Sequence, residues 1–471
     1  MLKIASFFKK HYEYINLLVL TVLMIWSSVY YYAAFVLVGF IAVIACFYST
    51  EKLATLVMAI YPMKMAILPG LFIFVSFFIL LMMAKNFIIR LIKQKQEFSK
   101  KLILIIAIFL IYATCSHFFA KFTDTRFLIM LFVDILTLYF IYEARKEIDI
   151  LKMVKVLCFM LIATGLTCQL GKGFNRFFRI NQSYSYNNFL KLYGMTENPN
   201  IYGYGVVIAI SALLALFFFE KINIVEFLLY FVPCFILGYF TISRNYLISV
   251  AAALAVFGVC YLVKKKIKAL EILVPLCAIV CAIMLLFSGY TELYFDRGFV
   301  DYEFDSLDKL NQLTPEEYKL IFAGKMESNP GRLGIWKNYL LCILQSPLYV
   351  IFGVGSSAVQ VGCIHAHNVY LYWFYRFGLV GLFLLGLIFY FMLKKDNVFS
   401  KQNKSLLWIL FVFVVPSLVS WLFDTCDFVN VFLILAIMFF FKFKDWKNSE
   451  QKQIFQAHKI EMMNMLLKRP F

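Results

Sequence analysis

Charge is scarce in this chain. Only 15% of its 471 residues are Asp, Glu, Lys or Arg, against about 25% in an ordinary soluble domain. Acids are scarcest, at 27 against 45 basic residues. No CxxC pair, internal repeat, Walker motif or low-complexity tract occurs. The weak alternating ten-residue segments of a closed β-barrel are missing as well. What fills the space is apolar: 63% of the residues, with 19% aromatic and a mean hydropathy of +0.82. A soluble protein of this make-up would expose large apolar patches and aggregate. Water is therefore excluded as the main solvent, and intrinsic disorder with it.

A spanning helix needs about 20 mostly apolar residues. Such runs recur from end to end, apolar on all faces, as helices buried in lipid or in a bundle require. The first, Ile15–Tyr48, has no charged residue and is too long for one helix or for a signal-peptide core. It reads as a hairpin of two spans turning near Ser27–Tyr32. Further runs cover about Met65–Ala84, Leu102–Phe119, Phe127–Tyr142, Ile150–Leu170, Ile201–Phe219, Ile224–Thr241, Tyr246–Val263 and Leu270–Phe287. The last three are Val369–Leu393, Leu406–Phe423 and Phe428–Phe441. The fold class expected is all-α, polytopic, with 12–14 transmembrane helices. The organisation expected is a bundle over 1–288, an extracytoplasmic loop over 289–368, further spans over 369–443 and a basic tail over 444–471.

The net charge of +18 would suit a nucleic-acid partner if it were spread over a surface. It is not. Twenty-eight of the 45 basic residues sit in the amino terminus, the tail from Lys442 and four short connections: Lys85–Lys101, Glu143–Lys155, Lys264–Lys268 and Lys394–Lys404. This is the positive-inside pattern, which places these segments and both termini in the cytoplasm. Gly289–Ile364 carries nine acids against six basic residues and reads as an outer loop. No nucleic-acid partner is expected. Both termini inside require an even number of spans, whereas the runs number thirteen. Leu53–Ala84, with Pro62, Lys64 and Pro69, is then two passes, or else Ile15–Tyr48 is one pass with an interfacial piece.

Two outer segments hold the candidate chemistry. Gly171–Asn200 is net positive although it lies outside, with Arg176 and Arg179 among Tyr, Asn and Phe. Gly289–Asn368 contains the capping box Thr314-Pro315-Glu316-Glu317 and then a helix Arg332–Gln345. Leu333, Trp336, Leu340 and Ile343–Leu344 line one apolar face of that helix, and Trp336 and Tyr339 are its expected interfacial anchors. Cys342 and Cys363 share this loop and could pair. The glycine-rich turn Gly353–Ser357 follows, and His365, His367 and Asn368 lead into a span. A histidine at a helix entrance is ordinarily a hydrogen-bonded cap. Its pKa near 6.5 also suits a general base. His-x-His lacks a third metal ligand nearby, so no metal is expected. Arg244, in Ser243-Arg244-Asn245 at the outer start of a span, is either a snorkelling cation or a clamp for phosphate oxygens. Arg332 offers the same choice.

His367-Asn368, nine residues and then Gly378-Leu379-Val380-Gly381 match H-[NSQ]-x9-G-x-x-G. This pattern resembles the O-antigen ligase and surface-polysaccharide polymerase superfamily. Gly331–Trp336, Phe352–Gly355, Ser243-Arg244 and Asn198-Pro199-Asn200 agree with it in order. The resemblance implies a GT-C-like, metal-independent glycosyltransferase without a cofactor. It would transfer glycan from an undecaprenyl-diphosphate-linked oligosaccharide at the extracytoplasmic face of a bacterial cytoplasmic (inner) membrane. His367 would be the base. Arg244, Arg332, Arg176 and Arg179 would hold the diphosphate, and Asn368, His365 and Asn200 would support them. Polymerisation of repeat units is the first expectation, and ligation of finished glycan to a lipid or other acceptor the second. A chain-length regulator or flippase of the same pathway is a candidate partner. A polysaccharide transporter or flippase is the rival of another class. Transporters place charges at mid-membrane on broken helices and often carry repeats.

Overall fold

The computed structural model describes residues 2–94, 99–119, 125–170, 199–265, 332–355, 368–395, 410–421 and 429–442, residue 280 and short pieces between 185 and 196. The chain is an all-α membrane protein. Eight of its helices are long and apolar enough to cross a bilayer, among the described residues. The two strands among those residues, β1 (Ser185–Tyr186) and β2 (Phe189–Leu190), form one antiparallel pair. Large apolar side chains face outward, Phe74 being 70% exposed, as a surface solvated by lipid allows.

The hairpin is present. Helix α1 (Leu2–Val29) turns through Tyr30–Tyr32 into α2 (Ala33–Phe47). The next segment bears on the parity question. Helix α3 (Thr50–Ile60), a 3₁₀ turn (Tyr61–Met63) and α4 (Lys64–Ile67) form one broken pass, and α5 (Pro69–Gln94) returns. Roughly 18 residues at 1.5 Å each span about 27 Å, close to the hydrocarbon thickness. The lower end of this pass joins the basic connections, through Lys52–Glu13 at 3.1 Å. Its upper end joins the opposite end of the bundle. Ser27 Oγ donates to Ala66 O at 2.6 Å and Met65 N donates to Met195 O at 2.9 Å. Among the described residues Leu53–Ala84 is therefore two passes rather than one, the first of the two alternatives. Pro62 and Lys64 depress the hydropathy of a stretch whose side chains are nevertheless almost all buried.

Three long helices follow: α6 (Lys100–Phe119), α7 (Thr125–Glu143) and α8 (Ile150–Leu170). The second half begins with α9 (Pro199–Phe218), α10 (Ile224–Tyr239) and α11 (Arg244–Lys265). Helix α9 is the axis of this half, 94% buried, packed on α8, α10 and α11. Gly203 and the small residues after it permit that approach. Then come α12 (Arg332–Leu344), α13 (Pro347–Phe352) and α14 (Val369–Lys395). A π-turn (Leu410–Val414) leads into α15 (Val415–Trp421), and α16 (Val429–Lys442) closes the described chain. The span expected over Leu270–Phe287 and the capping box at Thr314 lie outside the described residues.

Deep in the bundle, Asp134 of α7 accepts from Tyr61 Oη at 3.0 Å and from Asn430 Nδ2 at 2.7 Å, while Asn430 Nδ2 also donates to Tyr61 Oη at 3.0 Å. This network pins the 3₁₀ break to α7 and α16. Interhelical hydrogen bonds in membranes are each worth about 1 kcal/mol. Tyr61→Phe and Asn430→Leu each remove two of the three bonds, and each should lower the thermal unfolding midpoint in detergent. Equal midpoints for wild type and Asn430→Leu would show that the network does not hold the break.

Candidate functional site

Two neighbourhoods form at the end of the bundle opposite the basic connections. The first is the tight turn from α10 to α11. Thr241 Oγ1 donates to Gly238 O at 2.6 Å and accepts from Ser243 N at 3.3 Å. Ser243 Oγ accepts from Tyr246 N at 3.4 Å, as a cap does. Ile242 sits at a φ of 51°, a left-handed conformation costly for a β-branched residue. This strained turn puts Arg244, half-buried, at the first position of a 22-residue helix. Guanidinium and helix N-terminus together favour an anion.

Helix α9 presses against the same turn. A Cβ on Gly203 would lie 3.3 Å from Tyr246 Cβ and 3.4 Å from Thr241 Oγ1. Asn200, half-buried, is three residues earlier on that face of α9. The chain entering α9 is tied in as well. Leu192 N donates to Phe240 O at 2.9 Å, and Cys168 Sγ donates to Gly194 O at 2.6 Å. The structure thus sets the first turn of α9, which carries Asn200, on the same end of the bundle as the turn that carries Arg244. Arg176 and Arg179 lie outside the described residues.

The second neighbourhood is the start of α14. Asn368 is buried and caps the helix. Its Oδ1 accepts from Leu371 N at 3.0 Å and its carbonyl from Tyr372 N at 3.0 Å. His365 and His367 lie outside the described residues. Arg332 opens α12. An apolar groove of about 500 Å³ runs down from Asn368 between Trp336 and Leu340 of α12 and Tyr370, Phe374, Leu379 and Leu382 of α14.

Helix α14 breaks at Gly378, where φ is 56° and ψ is −167°. Essentially only glycine adopts that conformation. A Cβ there would also run into Gly353 N and Ile351 O, and one on Gly353 into the Arg376 carbonyl. The Gly353–Gly355 turn therefore seats directly on the break, and Val354 N donates to Tyr375 O at 2.7 Å. Tyr112 Oη of α6 stands 2.6 Å from Phe352 O and 2.7 Å from Phe377 O. The glycines act in packing, but one of them does so through its backbone conformation. Gly378→Ala should cost about 1–3 kcal/mol in strain alone, read as a lower unfolding midpoint. A midpoint unchanged by that substitution would contradict this account of the break.

Two expectations about α12 need correction. Tyr339 is no interfacial anchor. It is fully buried, with its ring 4.9 Å from that of Tyr375. The apolar face expected from the sequence overlaps the buried one only at Ile343 and, in part, Trp336. The face of α12 turned to the protein is Ile335, Tyr339, Cys342 and Ile343, whereas Leu340 is 45% and Leu344 68% exposed. In lipid the leucine-rich face can point outward, so hydrophobicity alone does not identify the buried side. Cys342 is a buried thiol whose pKa is raised by that burial, opposed by its hydrogen bond with Tyr375. Cys363 lies outside the described residues.

Two charges inside spans, Asp134 and Arg376, are not among the residues that the sequence singles out. Arg376 is buried, its guanidinium 3.6 Å from the Phe127 ring centroid and hydrogen-bonded to Tyr372 Oη. A signal for it exists: Arg376 is the one charged residue in the run from Val369 to Leu393.

Residues 229–386 match the family model described as O-Antigen ligase. The matched stretch begins inside α10 and ends beyond Gly381, so it contains Arg244, Asn368 and the Gly353–Gly378 contact. No curated protein and no solved structure matches the chain.

Proposed function

We propose, from the match of residues 229–386 to the O-antigen ligase family, that this protein is a membrane glycosyltransferase polymerising surface-polysaccharide repeat units. The observation that carries the reading is that one family segment spans both the Arg244 turn and the helix headed by His367-Asn368. Donor and acceptor are both lipid-linked, and the donor leaves as undecaprenyl diphosphate. The chemistry takes place at the extracytoplasmic face of a bacterial inner membrane, with both termini in the cytoplasm.

His367 takes the proton of the acceptor hydroxyl as its oxygen bonds to the anomeric carbon. The bond from that carbon to the diphosphate oxygen breaks, and the electron pair leaves with the diphosphate. Attack from the face opposite the leaving group inverts the centre. Arg244 at its helix N-terminus, with Arg332, Arg176 and Arg179, stabilises the charge that develops, which preorganised cations do best where water is excluded. The groove below Asn368 suits a prenyl chain, being apolar along its length with its polar group at the top. Asn368 orients the peptide that carries His367, with His365 and Asn200 in support. No metal takes part.

The family description favours a second reading, ligation of finished glycan to another acceptor. Carrier lipid extracted from a strain lacking the gene separates the two. Single repeat units on the carrier mark a polymerase, and long carrier-linked chains mark a ligase.

In purified protein His367→Ala should lower turnover about 10²–10⁴-fold, the usual contribution of a general base. Arg244→Lys keeps the charge but loses the bidentate fork, and should also fall well below wild type. Activity should survive EDTA. Full turnover by a properly inserted His367→Ala protein would overturn the assignment of His367 as the base. Activity abolished by EDTA and restored by a divalent cation would make His365 and His367 metal ligands.

A further inference from the structure

A second cavity lies at the other end of the molecule, far from the motif. It measures about 670 Å³ and sits between α1, α3, α8 and α10, beside the end of α2. Its mouth holds Glu13, Lys52, Asp149, Lys152, Lys155 and Glu226. Its wall is apolar, formed by Leu17, Leu18, Leu56, Val156 and Phe159. Leu18 is 61% exposed, so the wall opens sideways toward the bilayer. Neither the base nor the diphosphate site of the proposed reaction uses any of these residues.

The mouth carries both signs in equal number, three lysines and three acids. Glu13 bridges Lys52, at 3.1 Å, and Lys152, and Glu226 pairs with Lys155. Asp149 caps α8 by accepting from Leu151 N at 2.9 Å. These pairs are not sealed. The side chains of Glu13, Lys52, Lys152, Lys155 and Glu226 are each between 23% and 30% exposed, open to the cavity mouth. Water suits the mouth but not the wall, and hydrocarbon suits the wall but not the mouth. Only an amphiphile fills both.

We propose that this cleft binds a zwitterionic phospholipid with a primary-amine head group. Its phosphate meets the ammonium groups of Lys52, Lys152 and Lys155. Its own ammonium meets Glu13 and Glu226, and an acyl chain lies along Leu17, Leu18 and Phe159. An anionic phospholipid fits less well, because a mouth of zero net charge leaves its extra negative charge uncompensated. Zones of basic residues between helices at the cytoplasmic side bind lipid head groups generally. What distinguishes this one is the interleaved carboxylates.

The test uses the full chain in nanodiscs made from equal parts phosphatidylethanolamine and phosphatidylglycerol, with lipid retained after extraction read by native mass spectrometry. Wild type should retain phosphatidylethanolamine about two- to five-fold over phosphatidylglycerol, the order that one partly exposed ion pair supplies. Glu13→Gln with Glu226→Gln removes the ammonium partners and should reverse the preference. Soluble phosphoethanolamine at millimolar concentration should not compete, since it lacks the chain. In wild type, phosphatidylethanolamine bearing a diazirine on its acyl chain should label the peptides containing Leu18 and Phe159. Equal retention of both lipids, an unchanged preference in the double variant, competition by the free head group or labelling elsewhere would each overturn the proposal. If the double variant does not fold, the wild-type labelling alone decides. Because the readout is binding, its failure is separable from failure of the glycosyltransferase reading.

Discussion

Hydrocarbon offers no hydrogen bonds, so every backbone group inside the bundle must find its partner within the protein. A continuous helix meets that demand by itself. A broken one does not, and among the described residues the chain breaks at Tyr61–Leu68 and at Gly378. At Tyr61–Leu68 the freed groups are taken by Ser27, whose hydroxyl reaches Ala66 O, and by Met195, whose carbonyl receives Met65 N. At Gly378 the groups of a second backbone take the part. Val354 N reaches Tyr375 O, and the Tyr112 hydroxyl stands between Phe352 O and Phe377 O. A tyrosine hydroxyl has one proton, so it serves one of these carbonyls at a time. In each case the repair comes from a segment distant in sequence, and the break becomes a clamp.

The placement of the candidate site follows from those clamps. The Gly378 break lets α13 and the glycine turn enter beside α14, and α12 then lies across the first turns of α14 through Ile335, Tyr339 and Ile343. That packing leaves the groove under Asn368 open on its lipid side. The upper break holds Met195, and with it the stretch leading to Asn200, against the bundle. The start of α9 then packs on the turn that carries Arg244, through the close approach of Gly203 to Thr241, Ser243 and Tyr246. A site assembled on helix ends and clamped turns is held more rigidly than one on free loops.

The spans are legible in the sequence because an apolar run of spanning length is stable only in lipid or in the heart of a bundle. The motif points to the matched segment, since the spacing from Asn368 to Gly378 is the distance from a helix cap to a helix break. Other features stay hidden for physical reasons. The α3–α4 pass is ambiguous in sequence because Pro62 and Lys64 break the apolar run, while the tertiary partners that make the break tolerable lie far along the chain. The buried face of α12 is hidden because lipid removes the rule that apolar means inside: Leu340 and Leu344 turn outward and Tyr339 inward. Arg376 is in plain sight, but only the folded chain shows its guanidinium laid on Phe127. That contact joins α14 to α7, which no local pattern encodes.

The distribution of acids at helix starts bears on the proposed chemistry. A helix N-terminus carries a partial positive charge, which an acid in its first turn or at its cap offsets. At the basic end three helices carry that offset, since Glu51 opens α3, Glu226 opens α10 and Asp149 caps α8, whereas α6 opens on Lys100 without one. At the opposite end α9, α11, α12 and α14 all begin without an acid in the first turn. A resident carboxylate there would have to be displaced before a diphosphate could bind, at the cost of its desolvated partner. Leaving these four N-termini uncompensated keeps their field available to an anionic substrate. The same logic explains why the lysines of the lower cleft, already paired with Glu13 and Glu226, suit a ligand that brings both charges rather than one.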